Sequence, residues 1–247
     1  GRDPALSIDE RHLGLVPENE ESEATDKVER ISDVIEKSVD LDQLLELTSA
    51  EIHPDFNPVL KSNSDDRTLG RLTAGPLKIG IARDRAFGFY YPDDIAAFES
   101  AGVELVPFDT LSGQCLPEVD GLFIGGGFPE CFIGDLAANK TMRSEIKMFI
   151  ESGGPAYAEC GGLMYLSCSI SWRDQSGPMV GVIPAHTKVL ARPVGRGYVQ
   201  LRVRSDHPWT AVRENAGSLI PAHEFHHSSL EPVDADWPTA FTVERGH

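Results

Sequence analysis

Apolar and polar positions alternate in blocks between Leu77 and Pro178, and these blocks predict strands and helices in turn. Short continuous apolar runs predict buried strands over residues 77–82, 103–108, 121–124 and 155–159. Helical spacing of apolar positions between them predicts helices over 92–100, over 141–152 and from Leu163 onwards. Because apolar strands that alternate with helices are covered on both faces, we predict an α/β domain with a mostly parallel sheet.

The pattern changes after Pro178. Strand-like stretches follow without obvious helices between them, over residues 179–184, 198–204, 218–220 and 240–243. Strands that follow one another without a long crossover pair antiparallel. The C-terminal third is therefore predicted to extend the sheet with antiparallel strands.

The first quarter of the chain has a different composition. Residues 1–66 contain 18 acidic and 6 basic side chains, against 21 and 16 in the remainder. Helical spacing over 28–39, followed by Asp40 as an N-cap for 41–47, predicts two short amphipathic helices. The polar residues 62–76 predict a linker. We expect an acidic helical segment and linker over 1–76 and a main domain over 77–247.

Composition and charge exclude several classes of protein. The net charge of −17 opposes binding to nucleic acid, which needs clustered Lys and Arg. No apolar run approaches the roughly 18 residues of a spanning helix, and the first residues have neither an initiator Met nor an apolar signal stretch. We expect a cytoplasmic protein without a membrane partner, with both ends cut from something longer. The four Cys do not form a disulfide framework and are expected to be thiols.

The most informative cysteine is Cys160. It follows a predicted buried strand, precedes Gly161-Gly162 and stands before a predicted helix. Such a turn presents a nucleophile at the carboxyl edge of the sheet, and the helix dipole favours its thiolate. A buried structural cysteine fits the residues equally well. The other three thiols lack this setting: Cys115, Cys131 and Cys168.

Two further segments carry candidate chemistry. The glycines at 125–127 end an apolar strand, where backbone N–H groups can stabilise an oxyanion. A plain turn and a phosphate cradle are the alternatives, although the run lacks the spacing and lysine of a P-loop. The second segment is His223-Glu224-Phe225-His226-His227-Ser228, in which one imidazole can serve as the base of a thiol. The cluster lacks a clear third ligand motif, so we predict no metal site.

The order of these motifs resembles a known family. GGGFPE at 125–130, AECGGLMYL at 158–166 and HEFHHS at 223–228 together resemble the glutaminase half of cobyrinate a,c-diamide synthases, among class I-like glutamine amidotransferases that include sirohaem-amidating relatives. The stretch at 11–17 resembles the end of that family's ATP-binding half, and Arg196-Gly197-Tyr198 resembles its GY strand. The resemblance implies a flavodoxin-like fold and an enzyme of two halves.

The resemblance also implies roles for individual residues. Cys160 would attack the glutamine amide, and His226 would act as its general base and then as the acid for ammonia. The substrate and the oxyanion that forms from it would be bound by the backbone of Gly126, Gly127 and Gly161. Glu224 lies two residues before His226, whereas many amidotransferases place an orienting Glu two residues after the histidine. We therefore treat the site as a Cys-His dyad, with Glu224 as an orienting or structural group and His227 as the competing imidazole.

Two departures from the family limit what the chain is expected to do alone. The synthetase half, with its ATP and Mg, is absent, and the chain ends where the family continues. No cofactor is expected in this chain, which would at most hydrolyse glutamine. The expected partners are glutamine, the synthetase half and, through that half, a corrin or sirohaem-type tetrapyrrole. A free-standing cysteine hydrolase and a non-catalytic docking module remain as alternatives.

Overall fold

In a computed structural model of the chain, the contacts divide between Pro76 and Leu77 into two units, Gly1–Pro76 and Leu77–His247. The structure describes residues 24–49, 75–233 and 238–245. The linker predicted over 62–76 lies outside these residues, except for its last two positions.

The first unit contains the two predicted helices, α1 (Ala24–Ser38) and α2 (Leu41–Ser49). Asp40 stands between them, and its Oδ1 accepts a hydrogen bond from the Gln43 N–H at 3.0 Å. This bond satisfies one of the free N–H groups of the first turn. The predicted N-cap is therefore confirmed.

The described residues of the second unit hold strands of two to nine residues. In chain order they are β1 (Lys78–Ala82), β2 (Phe87–Phe89), β3 (Glu104–Phe108), β4 (Gly121–Ile124), β5 (Gly126–Gly127), β6 (Ala156–Ala158), β7 (Ser167–Trp172), β8 (Gln175–Pro178), β9 (Ile183–Val189), β10 (Gly195–Val203), β11 (Leu219–His226), β12 (Ser228–Pro232) and β13 (Phe241–Arg245). The α-helices are α3 (Pro92–Ser100), α4 (Ile133–Ala138), α5 (Lys140–Glu151), α6 (Gly161–Leu166) and α7 (Thr210–Arg213).

The predicted parallel sheet is confirmed. Its order is β3-β1-β4-β6, and every neighbouring pair is parallel. Helices that pack against the sheet cover its strands, which explains why the strands are apolar. All four residues of β4, for example, are buried. The carboxyl ends of β4 and β6 meet at one edge, since Ile124 pairs with Ala158. The glycine run and Cys160 follow directly from these two ends.

The antiparallel strands of the C-terminal third are also confirmed, but they hydrogen-bond in sheets of their own. One sheet has the order β11-β10-β13 and the other β12-β9-β7-β8, in which β7 and β9 run parallel. The strand predicted over 179–184 is wrong for 179–182, which precede β9 as irregular chain. The expectation that helices are missing here is also wrong, since α7 lies between β10 and β11.

A row of aromatic rings crosses from the parallel sheet to the C-terminal sheet. Phe123 on β4 packs on Tyr157 of β6, with ring centroids 5.6 Å apart, and Tyr157 packs on Trp209 at 5.8 Å. His207 continues the row between Trp209 and Phe241, the first residue of β13. These contacts join the strand that leads into Cys160 to the sheet that carries the histidine cluster.

Candidate active site

Cys160 occupies the turn between β6 and α6, as predicted. Its backbone has φ 49° and ψ −113°, a left-handed conformation that costs a non-glycine residue energy. The residue is the N-cap of α6 and reaches the surface. A strained strand-to-helix turn of this kind projects a nucleophilic side chain away from the sheet.

The environment of the Cys160 thiol contains opposing electrostatic influences. Desolvation by the surrounding protein raises its pKa, and the carboxylates of Glu130 and Glu159 raise it further. Hydrogen bonds from the backbone N–H groups of Gly161 and Gly127 lower it. The net effect is a pKa above the ordinary value, so the thiol is mostly protonated near neutral pH and needs a base.

The glycine run lies against the Cys160 turn without room for side chains. A Cβ on Gly161 would lie 2.9 Å from the carbonyl oxygen of Gly127, and one on Gly162 would lie 2.1 Å from that of Ile124. Gly126 faces the cysteine itself, because its Cβ would lie 3.6 Å from that of Cys160. Gly127 and Gly161 therefore lie beside Cys160, where their N–H groups favour its thiolate.

Strand β2, which the sequence pattern did not predict, pairs with the glycine run. Phe87 pairs with Gly127 and Phe89 with Gly126, in an antiparallel ladder. A Cβ on Gly127 would lie 1.9 Å from the carbonyl oxygen of Ala86, so only glycine allows this approach. Tyr90 follows the strand, and its hydroxyl accepts a hydrogen bond from the Gly125 N–H at 3.2 Å.

Asp84 fixes the turn before β2. Its carboxylate accepts hydrogen bonds from the N–H groups of Ala86 and Phe87, at 2.8 and 3.1 Å. It also accepts bonds from the N–H and the hydroxyl of Thr110, at 2.6 and 2.7 Å. Burial raises the pKa of Asp84, and these hydrogen bonds oppose the shift. Asp84 thereby ties the turn to the residues that follow β3.

His226 ends β11, where the chain passes from one C-terminal sheet to the other. Its Nδ1 contacts the carbonyl oxygen of Ser228 at 2.8 Å, and its Nε2 lies 3.5 Å from Oε2 of Glu224. Glu224 therefore lies beside this imidazole, on the side of Nε2. Oε1 of Glu224 is buried and has no hydrogen-bond partner among the described residues.

Gly195 is a component of this site that sequence reasoning missed. It pairs with His226 across the β10–β11 ladder. A Cβ there would lie 2.2 Å from Nε2 of His226 and 2.8 Å from Oε2 of Glu224. The only sequence signal was the Gly195-Arg196-Gly197 spacing. Glycine at 195 leaves the space in which the imidazole and the carboxylate meet.

The structure assembles the site in two parts. The first part is Cys160 with the glycine run, and the second is His226 with Glu224 and Gly195. Among the described hydrogen bonds, none joins the Cys160 sulfur to His226. The competing imidazole, His227, has its Nδ1 3.3 Å from the carbonyl oxygen of Leu190.

The described residues contain no group of three His, Cys, Asp or Glu side chains able to share a metal ion. In the same part of the chain, no helix is both long and apolar enough to cross a bilayer.

Curated relatives resemble the chain over almost all its length. A cobyrinate a,c-diamide synthase of Magnetococcus marinus is 40% identical over 99% of this chain and 51% of the relative. Those of Archaeoglobus fulgidus and Methanosarcina barkeri are 40% and 37% identical, over 96% and 99% of this chain and 49% and 52% of theirs. The chain thus spans about half the length of the curated relatives it matches.

A solved structure supports the fold independently of these names. The structure of PurLQS from Thermotoga maritima superposes with a TM-score of 0.52 at 18% identity, covering 69% of this chain and 76% of that one. At this identity the match concerns architecture alone.

The family model of the CobB/CobQ-like glutamine amidotransferase domain matches residues 78–247. This range begins at the first residue of β1 and includes the glycine run, the Cys160 turn and the histidine cluster. The chain therefore belongs to the CobB/CobQ-like glutamine amidotransferase family.

Proposed function

We propose that this chain is the glutaminase part of an ATP- and glutamine-dependent tetrapyrrole a,c-diamide synthase. The observation that carries the proposal is the close packing of Gly127 and Gly161 beside a cysteine at a strained turn, where their backbone N–H groups favour its thiolate. That arrangement supports attack on an amide, because the oxygen of the tetrahedral intermediate develops its negative charge beside the nucleophile.

In the proposed reaction, Cys160 Sγ attacks the side-chain amide carbon of glutamine while the thiol proton passes to Nε2 of His226. The negative oxygen of the intermediate accepts hydrogen bonds from Gly127 and Gly161. The intermediate collapses as His226 returns the proton to the amide nitrogen, which leaves as ammonia. Water then attacks the thioester with His226 again as base, and glutamate and the free thiol are released.

The proton transfer requires His226 to approach Cys160, either directly or through one water. Catalytic hydrogen bonds often tighten only after substrate binds, and amidotransferase sites close on a partner domain in many enzymes. Aromatic packing of Tyr157 on Trp209 supports this step, since it belongs to the row of rings that already connects the strand before Cys160 to the sheet that carries His226.

The wider activity is proposed from the relatives. They are named cobyrinate a,c-diamide synthases and are about twice as long as this chain, which supports a second half in the whole protein. A corrin precursor is the acceptor these names favour, and a sirohaem-type tetrapyrrole is the alternative. The 247 residues contain no P-loop motif, and we propose that the other half uses MgATP to activate carboxylates. We also propose that the enzyme is cytoplasmic.

The test is alkylation with diazo-oxo-norleucine, a glutamine analogue that loses N₂ when a thiol displaces it. We expect mass spectrometry to find the label on Cys160 alone and glutamine to suppress it. Cys160→Ser should remain unlabelled, whereas Cys115→Ser should be labelled as the unmodified chain is. Equal labelling of all four cysteines, or no glutamine protection, would contradict the proposal and favour the docking module.

A further inference from the structure

The backbone of Gly125 is held by a hydrogen bond on each side. Its N–H donates a hydrogen bond to the Tyr90 hydroxyl at 3.2 Å, and its carbonyl oxygen accepts one at 3.0 Å from the Gly162 N–H, which also donates to the Glu159 carbonyl oxygen at 2.8 Å. Gly125 immediately precedes the two glycines of β5, and Gly162 lies two residues after Cys160. Gly125 therefore connects the glycine run to the first turn of the helix that follows the nucleophile.

The Tyr90 hydroxyl connects the same residue to the parallel sheet. It donates a hydrogen bond to the carbonyl oxygen of Ala82, at the carboxyl end of β1. The ring fits against Gly125, where a Cβ would lie 2.5 Å from its Cε1 atom, and it packs edge-on to Phe123 with centroids 5.0 Å apart. Packing fixes the ring, and the two hydrogen bonds fix its hydroxyl.

The phenol is suited to a bridging role. Burial is the main cause that raises the pKa of Tyr90, with smaller contributions from Asp84 and Glu159, while the Gly125 N–H and Arg83 oppose the shift. The hydroxyl therefore stays protonated at neutral pH, and can donate one hydrogen bond and accept another at the same time.

The pairing of β2 with β5 does not reach Gly125. That ladder involves Gly126 and Gly127, with an irregular register between Phe87 and Phe89. The Phe128 N–H adds a bond to the Ala86 carbonyl oxygen at 3.0 Å. Outside the ladder, the backbone at Gly125 is held by the Tyr90 hydroxyl and the Gly162 N–H, and the Ile124 carbonyl oxygen accepts a hydrogen bond from the Glu159 N–H at 3.1 Å. Of these contacts, the Tyr90 hydroxyl is the one that a side chain supplies.

We propose that Tyr90 is a positioning residue for the oxyanion hole, whose hydroxyl orients the Ile124–Gly125 peptide and, through the backbone that follows, the Gly127 N–H that faces Cys160. The inference rests on the proposed function, because it assumes that Gly127 stabilises the oxyanion. Tyr90 acts through the backbone and does not touch the reacting atoms.

The test compares the unmodified chain with Tyr90→Phe in the diazo-oxo-norleucine reaction. We expect the rate at saturating reagent to fall by about tenfold, less than the loss of a complete oxyanion donor. The half-saturating concentration should stay within about threefold, because reagent binding does not depend on this peptide. A merely structural role would not separate these two quantities.

A second readout is the pH midpoint for alkylation of Cys160 by iodoacetamide. The Gly127 N–H favours the thiolate, whereas Glu130 and Glu159 oppose it. A misoriented Gly127 N–H in Tyr90→Phe should therefore move the midpoint to higher pH, with both carboxylates unchanged.

Tyr165→Phe is the matched control. Tyr165 is fully buried on α6, its ring packs on Phe87 at 5.4 Å, and its hydroxyl has no hydrogen-bond partner among the described residues. Loss of the Tyr165 hydroxyl should change the labelling rate by less than about twofold and the pH midpoint by less than about 0.2 unit. An equal fall in rate in Tyr165→Phe and Tyr90→Phe would overturn the inference.

The remaining outcomes separate the two proposals. If the unmodified chain is not labelled at Cys160, the proposed function fails and this inference fails with it. If it is labelled and Tyr90→Phe reacts within about threefold of it, only the positioning role is overturned.

Should Tyr90→Phe not fold, 4-aminophenylalanine at position 90 should react like the unmodified chain and 4-fluorophenylalanine about tenfold more slowly. Equal rates for these two would overturn the role.

Discussion

The Nδ1 atom of His226 lies 2.8 Å from the carbonyl oxygen of Ser228. A carbonyl oxygen only accepts hydrogen bonds, so we assign the proton of the neutral ring to Nδ1. Nε2 then keeps its lone pair, and it is also the ring atom 3.5 Å from Oε2 of Glu224. A proton taken up at Nε2 is thus next to a carboxylate, as the proposed role of His226 requires.

Gly195→Ala should disrupt this pair. The new methyl group would lie 2.2 Å from Nε2 of His226, so the imidazole must move. A displacement of about 1 Å in a catalytic group costs up to about 100-fold, and we expect glutamine hydrolysis to fall ten- to 100-fold. Steady-state kinetics of ammonia release measure the effect.

Gly134→Ala serves as the control for that change, since a Cβ at this position in α4 meets nothing within 4 Å. It should leave the rate unchanged. Full activity in Gly195→Ala, with the variant folded, would show that His226 is not needed in its present position.

Separate replacement of the two neighbouring histidines tests which imidazole acts. His226→Ala should lower glutamine hydrolysis by about 10²- to 10⁴-fold, the usual contribution of a general base. His227→Ala should change it by less than about fivefold, because the Nδ1 of His227 is directed at Leu190 and not at Glu224. The reverse result would assign the base to His227 and contradict the present role of Glu224.

The pH dependence of Cys160 alkylation tests its electrostatic environment. Because desolvation raises the thiol pKa in the folded chain, the thiolate forms at higher pH than in an unfolded peptide. The iodoacetamide rate should therefore reach its plateau at a higher pH than the rate of a model thiol does. The midpoint is obtained by measuring the rate of Cys160 alkylation over a series of pH values at constant ionic strength.

Glu159→Gln should move that midpoint to lower pH. The carboxylate of Glu159 disfavours the thiolate, and removing its charge relieves this repulsion. Glu151→Gln removes the same charge from the end of α5, where Glu151 pairs with Lys147. This control should leave the midpoint where it is, and an equal shift in both variants would point to net charge instead.

Loss of the Asp84 carboxylate should destabilise the domain. Asp84→Ala leaves the N–H groups of Ala86, Phe87 and Thr110 without this acceptor, and we expect the free energy of unfolding to fall by about 2–4 kcal/mol. Thr110→Val removes only the hydroxyl bond and should cost about 1 kcal/mol. Denaturant unfolding of both variants and of the double variant gives the coupling between them. Simple additivity would contradict a direct bond.

The main elements of the parallel sheet were predictable because their residues have no other suitable environment. A run such as Gly-Leu-Phe-Ile in β4 is apolar on both faces, which only a covered strand satisfies. Strands β2 and β5 gave no such signal. They are three and two residues long and contain glycines, which have low strand propensity. Their pairing depends on a turn held by Asp84 and Thr110, 26 residues apart in sequence.

The candidate site was predictable to a similar extent. The Cys160 turn is a local pattern, so strand, glycines and helix could be recognised together. Tyr90 and Gly195 could not be, because each acts on a residue distant in the chain, Gly125 and His226 respectively. Their importance follows from a close approach in space that neither composition nor periodicity encodes. The assignment of catalytic roles to Cys160, His226 and Glu224 stays a prediction.

The packing of Trp209 on Tyr157 also gives the molecule an optical reporter. Indole emission depends on the polarity and motion of the ring's surroundings, and Trp209 is half exposed, 5.8 Å from a ring three residues before Cys160. A rearrangement that brings the histidine cluster closer to the nucleophile is expected to change the distance or the angle between these two rings. Fluorescence of Trp209, with Trp172 and Trp237 replaced by phenylalanine, would then follow closure of the site in real time without a label.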